Sequence, residues 1–161
     1  QVEHPVTELC IGHDLIAEQL RVAMGEPLSI PAEAEWPGGH AIEFRINTED
    51  ATKDFRPSPG RIRTWRPPQG DKVRVDSFVY EGIDIQPYYD SMIAKLIVHG
   101  ADRRSAIEAA RRALDAFVIE GVPTTASFHR ALIDDPDFMA GTIHTRWVEN
   151  TFLDRLAGKG N

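Results

Sequence analysis

The chain has 161 residues, 42% hydrophobic and 27% charged, enough apolar content to bury a core in one domain or in one domain plus part of another. Its formal net charge of −7 excludes a general nucleic-acid binder, which needs a basic face to neutralise phosphates. The sequence has no stretch of about 18 apolar residues for a membrane span, no signal peptide, and a single cysteine, Cys10, which fits a buried thiol in a reducing, cytoplasmic compartment.

Residues 1–8 alternate weakly and meet Pro5, which predicts an extended piece ending in a turn. From Asp14 to Met24, the residues Leu15, Ile16, Leu20, Val22 and Ala23 fall near helical spacing, with Gly25 as the stop. A Pro- and Glu-containing loop follows from Pro27 to Gly39. From His40 to Glu49 the pattern alternates: Ile42, Phe44 and Ile46 point one way, and Ala41, Glu43 and Arg45 the other. Phe55 to Gly60 is a turn. Short strands are expected at Arg61–Trp65 and Lys72–Ser77, and a further strand at Ser91–His99, apolar on both faces apart from Lys95. A strong helix begins at Asp102 and runs to Gly121, a second is capped by Thr124, and a last one spans Thr145 to Leu156. Strands followed by helices read as an α+β domain with an antiparallel sheet and flanking helices, and residues 158–161 as a disordered tail.

Three groups of residues could carry chemistry. In an extended segment Gln1 and Glu3 share a face about 7 Å apart. With His4 they could provide a general base, or simply form a solvated strand end. Arg45 offers a planar fork of donors to a carboxylate-like anion, or a surface ion pair with Glu43 or Glu49. Tyr88, Tyr89 and Asp90 precede a strand, where Asp90 could accept backbone N–H groups in a turn or belong to a site. The six histidines are scattered singly without an i,i+4 pair or a cysteine partner, so no metal site is expected from this chain, and no glycine-rich phosphate loop is present.

Five blocks occur in one order: QVEHPVTE (1–8), GHDLIAEQLRVAMGEPL (12–28), GHAIEFRINTED (39–50), FRPSPGRI (55–62) and PYYDSMIAKLI (87–97). Together they closely resemble the C-terminal part of biotin carboxylases, the components of acetyl-CoA (fatty acid biosynthesis), propionyl-CoA, methylcrotonyl-CoA, pyruvate and urea carboxylases. The resemblance runs from Gln1 to about Leu153. It implies that residues 1–30 are the end of an ATP-grasp domain and residues 31–157 the biotin carboxylase C-terminal domain. It also implies that the family's nucleotide lid and magnesium ligands lie upstream of Gln1, in a longer parent. That parent would be an ATP-dependent ligase using bicarbonate, ATP and Mg2+ or Mn2+ to carboxylate biotin on a carrier protein. It would act as a homodimer beside a carboxyltransferase component.

By the same resemblance, Glu3 is the base that deprotonates bicarbonate, and Arg45 binds bicarbonate and stabilises the biotin enolate. Gln1, the backbone of Val2 and Asp90 lie near bicarbonate or biotin, and Arg74 lies at the dimer interface. Thr125 departs from the asparagine usual in the family at the block GVPTT (121–125), which puts local helix capping in question. The chain alone is expected to bind no cofactor and to be inactive, with Glu3 mobile or displaced. A dimerisation or carrier-docking module, or an ATP-grasp carboxylase with another acceptor, are the alternative readings.

Overall fold

The alternation through residues 40–47 builds the central feature, a three-stranded antiparallel sheet whose two faces differ in chemistry. The computed structural model describes residues 2–33 and 37–158. In chain order the elements are α1 (His4–Ile11), α2 (Leu15–Ala23), β1 (His40–Asn47), β2 (Glu49–Asp50), a 3-10 turn (Ala51–Lys53), β3 (Arg56–Pro57), β4 (Gly60–Arg61), β5 (Thr64–Arg66), β6 (Val73–Ser77), β7 (Asp84–Ile85), β8 (Met92–Gly100), α3 (Arg103–Ala116), β9 (Val118–Glu120), α4 (Ala126–Leu132), α5 (Pro136–Ala140), a π-helical turn (Val148–Phe152) and α6 (Leu153–Gly158). The sheet order is β1-β8-β6, and three small two-stranded ladders (β2 with β3, β4 with β7, β5 with β9) surround it, all antiparallel.

Central β8 is apolar on both faces because neighbours cover it on both sides, and Ile93, Leu96, Ile97 and Val98 are all buried. One face of the sheet, with Phe44, Ile46, Leu96 and Val98, packs on α3 through Ile107, Ala109, Ala110, Ala113 and Leu114. The alanines let the helix lie close to the strands. Each fully buried Leu or Ile contributes roughly 1.5–3 kcal/mol. Asp102 starts α3 with a capping box, its carboxylate accepting the Ser105 N–H at 2.7 Å.

The other face carries charge. Register places Arg45 opposite Lys95 and Lys95 opposite Asp76, with Glu43 opposite Ile97 and Ile97 opposite Arg74. Directly paired residues share a face, so Glu43, Arg45, Lys95, Arg74 and Asp76 lie together, and α1 packs across β1 and β8 on this side.

Three expectations are corrected, and α2 adds a buried charge. Residues 4–11 are helical, not extended: Pro5 sits in the first turn of α1, where its fixed φ and missing N–H suit a helix start. α2 forms where expected, capped by Asp14, but Ile16, Leu20 and Val22 face outward. Its buried residue is Glu18, whose carboxyl is held below the usual range by hydrogen bonds from the Ser29 hydroxyl and N–H and from Arg21. The long helix stops at Ala116, not Gly121, because the β-branched Val118 and Ile119 pair with β5 as strand β9. Gly121 instead makes the turn after β9: its φ is 112°, and a Cβ there would come within 2.1 Å of the Arg61 carbonyl oxygen. Finally, the helix expected at 145–156 is split into a π-helical turn and α6, with Trp147 and Phe152 buried. Gly158 closes α6; the rest of the expected tail lies outside the described residues.

Candidate active site

Glu3 is the N-cap residue of α1, but its side chain makes no capping hydrogen bond, which leaves the carboxylate available. Its Oε2 lies 3.6 Å from Arg45 Nη2. The expectation that Glu3 is displaced is therefore overturned: α1 is docked on β1 and β8, and Lys95 Nζ donates to the Val2 carbonyl at 3.3 Å, which sets Glu3 against the strand that carries Arg45. The two side chains are 60% and 57% exposed. An ion pair this exposed contributes only about 0–1 kcal/mol. It is therefore poorly suited to a structural lock, and an incoming anion can compete for the guanidinium.

While the Arg45 side chain stays open, its main chain is clamped. The Thr125 hydroxyl donates to the Arg45 carbonyl at 2.9 Å, and His129 Nε2–H donates to the same oxygen at 2.8 Å. Thr125 Oγ1 also accepts the Asn47 N–H at 3.0 Å, and the Thr125 N–H donates to the Asn47 carbonyl at 3.0 Å. Burial holds the His129 imidazole below its ordinary value, and donating to the Arg45 carbonyl places a ring proton on Nε2. The Thr125 departure thus has a role: its side chain gives no cap to α4 and ties that helix to β1. The expected cap at Thr124 is replaced by Thr125 in the N-cap position.

Behind the pair runs a closed ring of charged and polar side chains. Arg74 Nη1 donates to Glu8 Oε2 at 2.7 Å, and its Nε and Nη2 bind Asp76 bidentately, both at 2.8 Å. Asp76 Oδ2 lies 3.6 Å from Lys95 Nζ, which is 3.4 Å from His4 Nε2. His4 Nδ1 lies 2.9 Å from Glu8 Oε1, close enough for electrostatic attraction but too poorly aligned to count as a hydrogen bond. An ammonium offers only donors, so His4 Nε2 accepts and the imidazole proton sits on Nδ1, facing Glu8. Burial pushes the Glu8 carboxyl up, but Arg74 and His4 outweigh it and hold it below the usual range. Glu43, the neighbour of Arg45 on the polar face, goes the other way: burial raises its carboxyl despite Lys95 and Arg45, and its Oε2 has no hydrogen-bond partner among the described residues.

The remaining sequence candidates are placed as follows. Val2 presents its carbonyl to Lys95, and Gln1 lies outside the described residues. Asp90 is exposed and accepts the Met92 N–H at 2.7 Å, the turn that its surroundings suggest. It also lines a cavity of about 510 Å³ with Phe78, Asp84, Ile85, Gln86, Tyr89 and Met92. Arg74 is committed to Glu8 and Asp76 within the chain. Sequence reasoning missed His129 and Glu8 and singled out Thr125 only for local helix capping; Lys95 was visible only as the one charge in an apolar strand. Among the described residues no group of three or more His, Cys, Asp or Glu side chains could hold a metal ion, and no helix is long and apolar enough to cross a membrane.

An α+β fold with an exposed carboxylate–guanidinium pair beside a partly buried ionic ring defines a candidate anion site. The model of the biotin carboxylase C-terminal domain matches residues 43–150. The chain belongs to this family. It is 51% identical over 149 residues to the biotin carboxylase of Nostoc sp., covering 92% of this chain and 33% of that protein. It is 52% identical over 160 residues to the biotin-dependent acyl-coenzyme A carboxylase alpha3 subunit of Mycobacterium leprae, covering 97% of this chain and 27% of that subunit. Among solved structures, the biotin carboxylase domain dimer of Hydrogenobacter thermophilus 2-oxoglutarate carboxylase, in complex with MgADP, ADP and bicarbonate, matches with a TM-score of 0.89 and 43% identity, over 92% of this chain and 33% of that one. The chain therefore spans about a third or less of the length of these relatives.

Proposed function

We propose that this chain forms the bicarbonate- and biotin-facing part of an ATP-dependent biotin carboxylase, and that Glu3 and Arg45 carry its acceptor chemistry. The observation that supports this most directly is the open Glu3–Arg45 pair at 3.6 Å, on a main chain held rigid by Thr125 and His129. In this reading the Arg45 guanidinium holds bicarbonate and Glu3 accepts its proton as the bicarbonate oxygen attacks the γ-phosphorus of ATP. ADP leaves, and the resulting carboxyphosphate breaks down to carbon dioxide and phosphate. The phosphate takes the proton from the ureido nitrogen of biotin, and Arg45 stabilises the negative charge on the enolate oxygen. The nitrogen then attacks carbon dioxide.

Residues 1–30 close the ATP-grasp domain and residues 31–157 form the C-terminal domain. ATP and Mg2+ or Mn2+ are bound by residues outside this chain. In this reading Val2 and Asp90 serve the bicarbonate and biotin side, as does Gln1, which lies outside the described residues, and Arg74 serves contact with a second copy in a homodimer. The partners are a biotin carrier protein or domain and a carboxyltransferase component, in the cytoplasm.

The test is transfer of labelled bicarbonate to free biotin. The complete enzyme carrying this chain is expected to fix label in an ATP-dependent way, and the chain alone to fix none. No labelled biotin from the complete enzyme would overturn the reading.

A further inference from the structure

Lys95 is the one charged residue in β8, the central strand of the sheet, and only 15% of its side chain is exposed. A buried ammonium needs partners for its three donors. Here they come from two elements: Asp76 Oδ2 on β6 at 3.6 Å, and the Val2 carbonyl and His4 Nε2 at the start of α1, at 3.3 and 3.4 Å. The Val2 carbonyl belongs to the same peptide plane as the Glu3 N–H. Fixing that oxygen fixes the plane immediately before Glu3. In strand register Lys95 lies directly opposite Arg45. One side chain thus ties the segment bearing the carboxylate to the strand neighbouring the one that bears the guanidinium.

We infer that Lys95 is a positioning residue for the bicarbonate site: it sets the Glu3 carboxylate against the Arg45 guanidinium and does not itself touch the reacting atoms. The inference deepens the carboxylase reading above and rests on it for its kinetic consequence. The Glu3–Arg45 pair is too exposed to hold itself in place, so its geometry comes from the main-chain supports. On the Arg45 side these are Thr125 and His129; on the Glu3 side, Lys95 fills the same place. The ring Asp76–Arg74–Glu8–His4 completes the support, anchoring Lys95 and α1 to β6.

The test compares Lys95→Met and Lys95→Arg with the wild type in the complete enzyme. Lys95→Met is expected to lower kcat for bicarbonate-dependent ATP cleavage by about tenfold or more, because a displaced reacting group of about 1 Å costs up to 10²-fold. KM for ATP should stay within about twofold, and Lys95→Arg should recover part of kcat. A kcat for Lys95→Met within about twofold of wild type would overturn the inference, as would loss of kcat and ATP affinity in step with thermal unfolding. If Lys95→Met does not fold, Lys95→Gln replaces it and is judged the same way.

A crystal structure of the variant enzyme gives a readout independent of turnover. A Val2–Glu3 peptide turned away from β8 supports the inference, and an unchanged Glu3–Arg45 separation overturns it. Wild-type enzyme without bicarbonate-dependent ATP cleavage would sink the functional reading alone, and the crystallographic comparison would still decide the role of Lys95.

Discussion

Replacing Thr125 with valine keeps the side-chain shape and removes one hydroxyl from a site that is 5% exposed. Two hydrogen bonds go with it: the donation to the Arg45 carbonyl at 2.9 Å and the acceptance from the Asn47 N–H at 3.0 Å. The two losses differ in cost. The Arg45 carbonyl keeps His129 as a donor, so that loss is about 1 kcal/mol, while the Asn47 N–H is left without a partner, costing a further 1–3 kcal/mol. The sum is about 2–4 kcal/mol, or roughly 4–16 °C in Tm for a chain of this size. Thr125→Ser keeps the hydroxyl and loses only a methyl group, so it should cost no more than about 1.5 kcal/mol. The assay is urea denaturation of both variants and the wild type, comparing midpoints at unchanged slope. A loss below about 0.5 kcal/mol for valine, or a serine variant as unstable as valine, would refute the clamp and with it the claim that Arg45 stands on a rigid main chain.

Two further predictions follow from the packing and the titrating groups. Gly121→Ala should destabilise by about 2 kcal/mol or more, since its Cβ would lie 2.1 Å from the Arg61 carbonyl oxygen and its φ is 112°; melting of the variant at wild-type temperature would contradict the β5–β9 turn. Glu43 on the polar face of the sheet and Glu8 on α1 should respond to pH with opposite signs. Burial raises Glu43 above its ordinary value of 4.5, so the folded state binds the proton more tightly and stability falls as pH rises through the window above 4.5. Glu43→Gln should therefore stabilise at neutral pH, with the gain fading below about pH 4. For Glu8, burial raises the carboxyl but the partners Arg74 and His4 bring it below 4.5. Its contribution is complete above that value and is lost as pH falls through the lowered folded one. Glu8→Gln should cost on the order of 3 kcal/mol at neutral pH and flatten the acid limb. Stability-versus-pH curves for the two variants check both signs at once.

The fold was legible where periodicity decides it. The alternation of Ile42, Phe44 and Ile46 against Glu43 and Arg45, the doubly apolar β8 and the helix start at Asp102 all appear as read. It was not legible where tertiary contacts decide. Pro5 is compatible with both an extended end and a helix start, and only the docking of α1 on the sheet chooses. Val118 and Ile119 continue a helical pattern until β5 offers a partner. The apolar spacing of α2 marked a helix but not its buried side chain, which is Glu18, satisfied by Ser29 eleven residues away. At the site, Glu3 and Arg45 were named from ordered blocks of sequence, not from their spacing, since 42 positions separate them. Thr125, His129 and Lys95 act through partners 80, 84 and 93 positions away, and no local pattern encodes such pairings.

The central claim is that Glu3 is the proton acceptor for bicarbonate held by Arg45. Its most direct test is the rate of bicarbonate-dependent ATP cleavage in the complete enzyme with Glu3→Gln, which keeps the shape and removes the base. The account predicts a fall in kcat of about 10²–10⁴-fold with KM for ATP little changed. A Glu3→Gln enzyme that cleaves ATP at the wild-type rate in bicarbonate would contradict it.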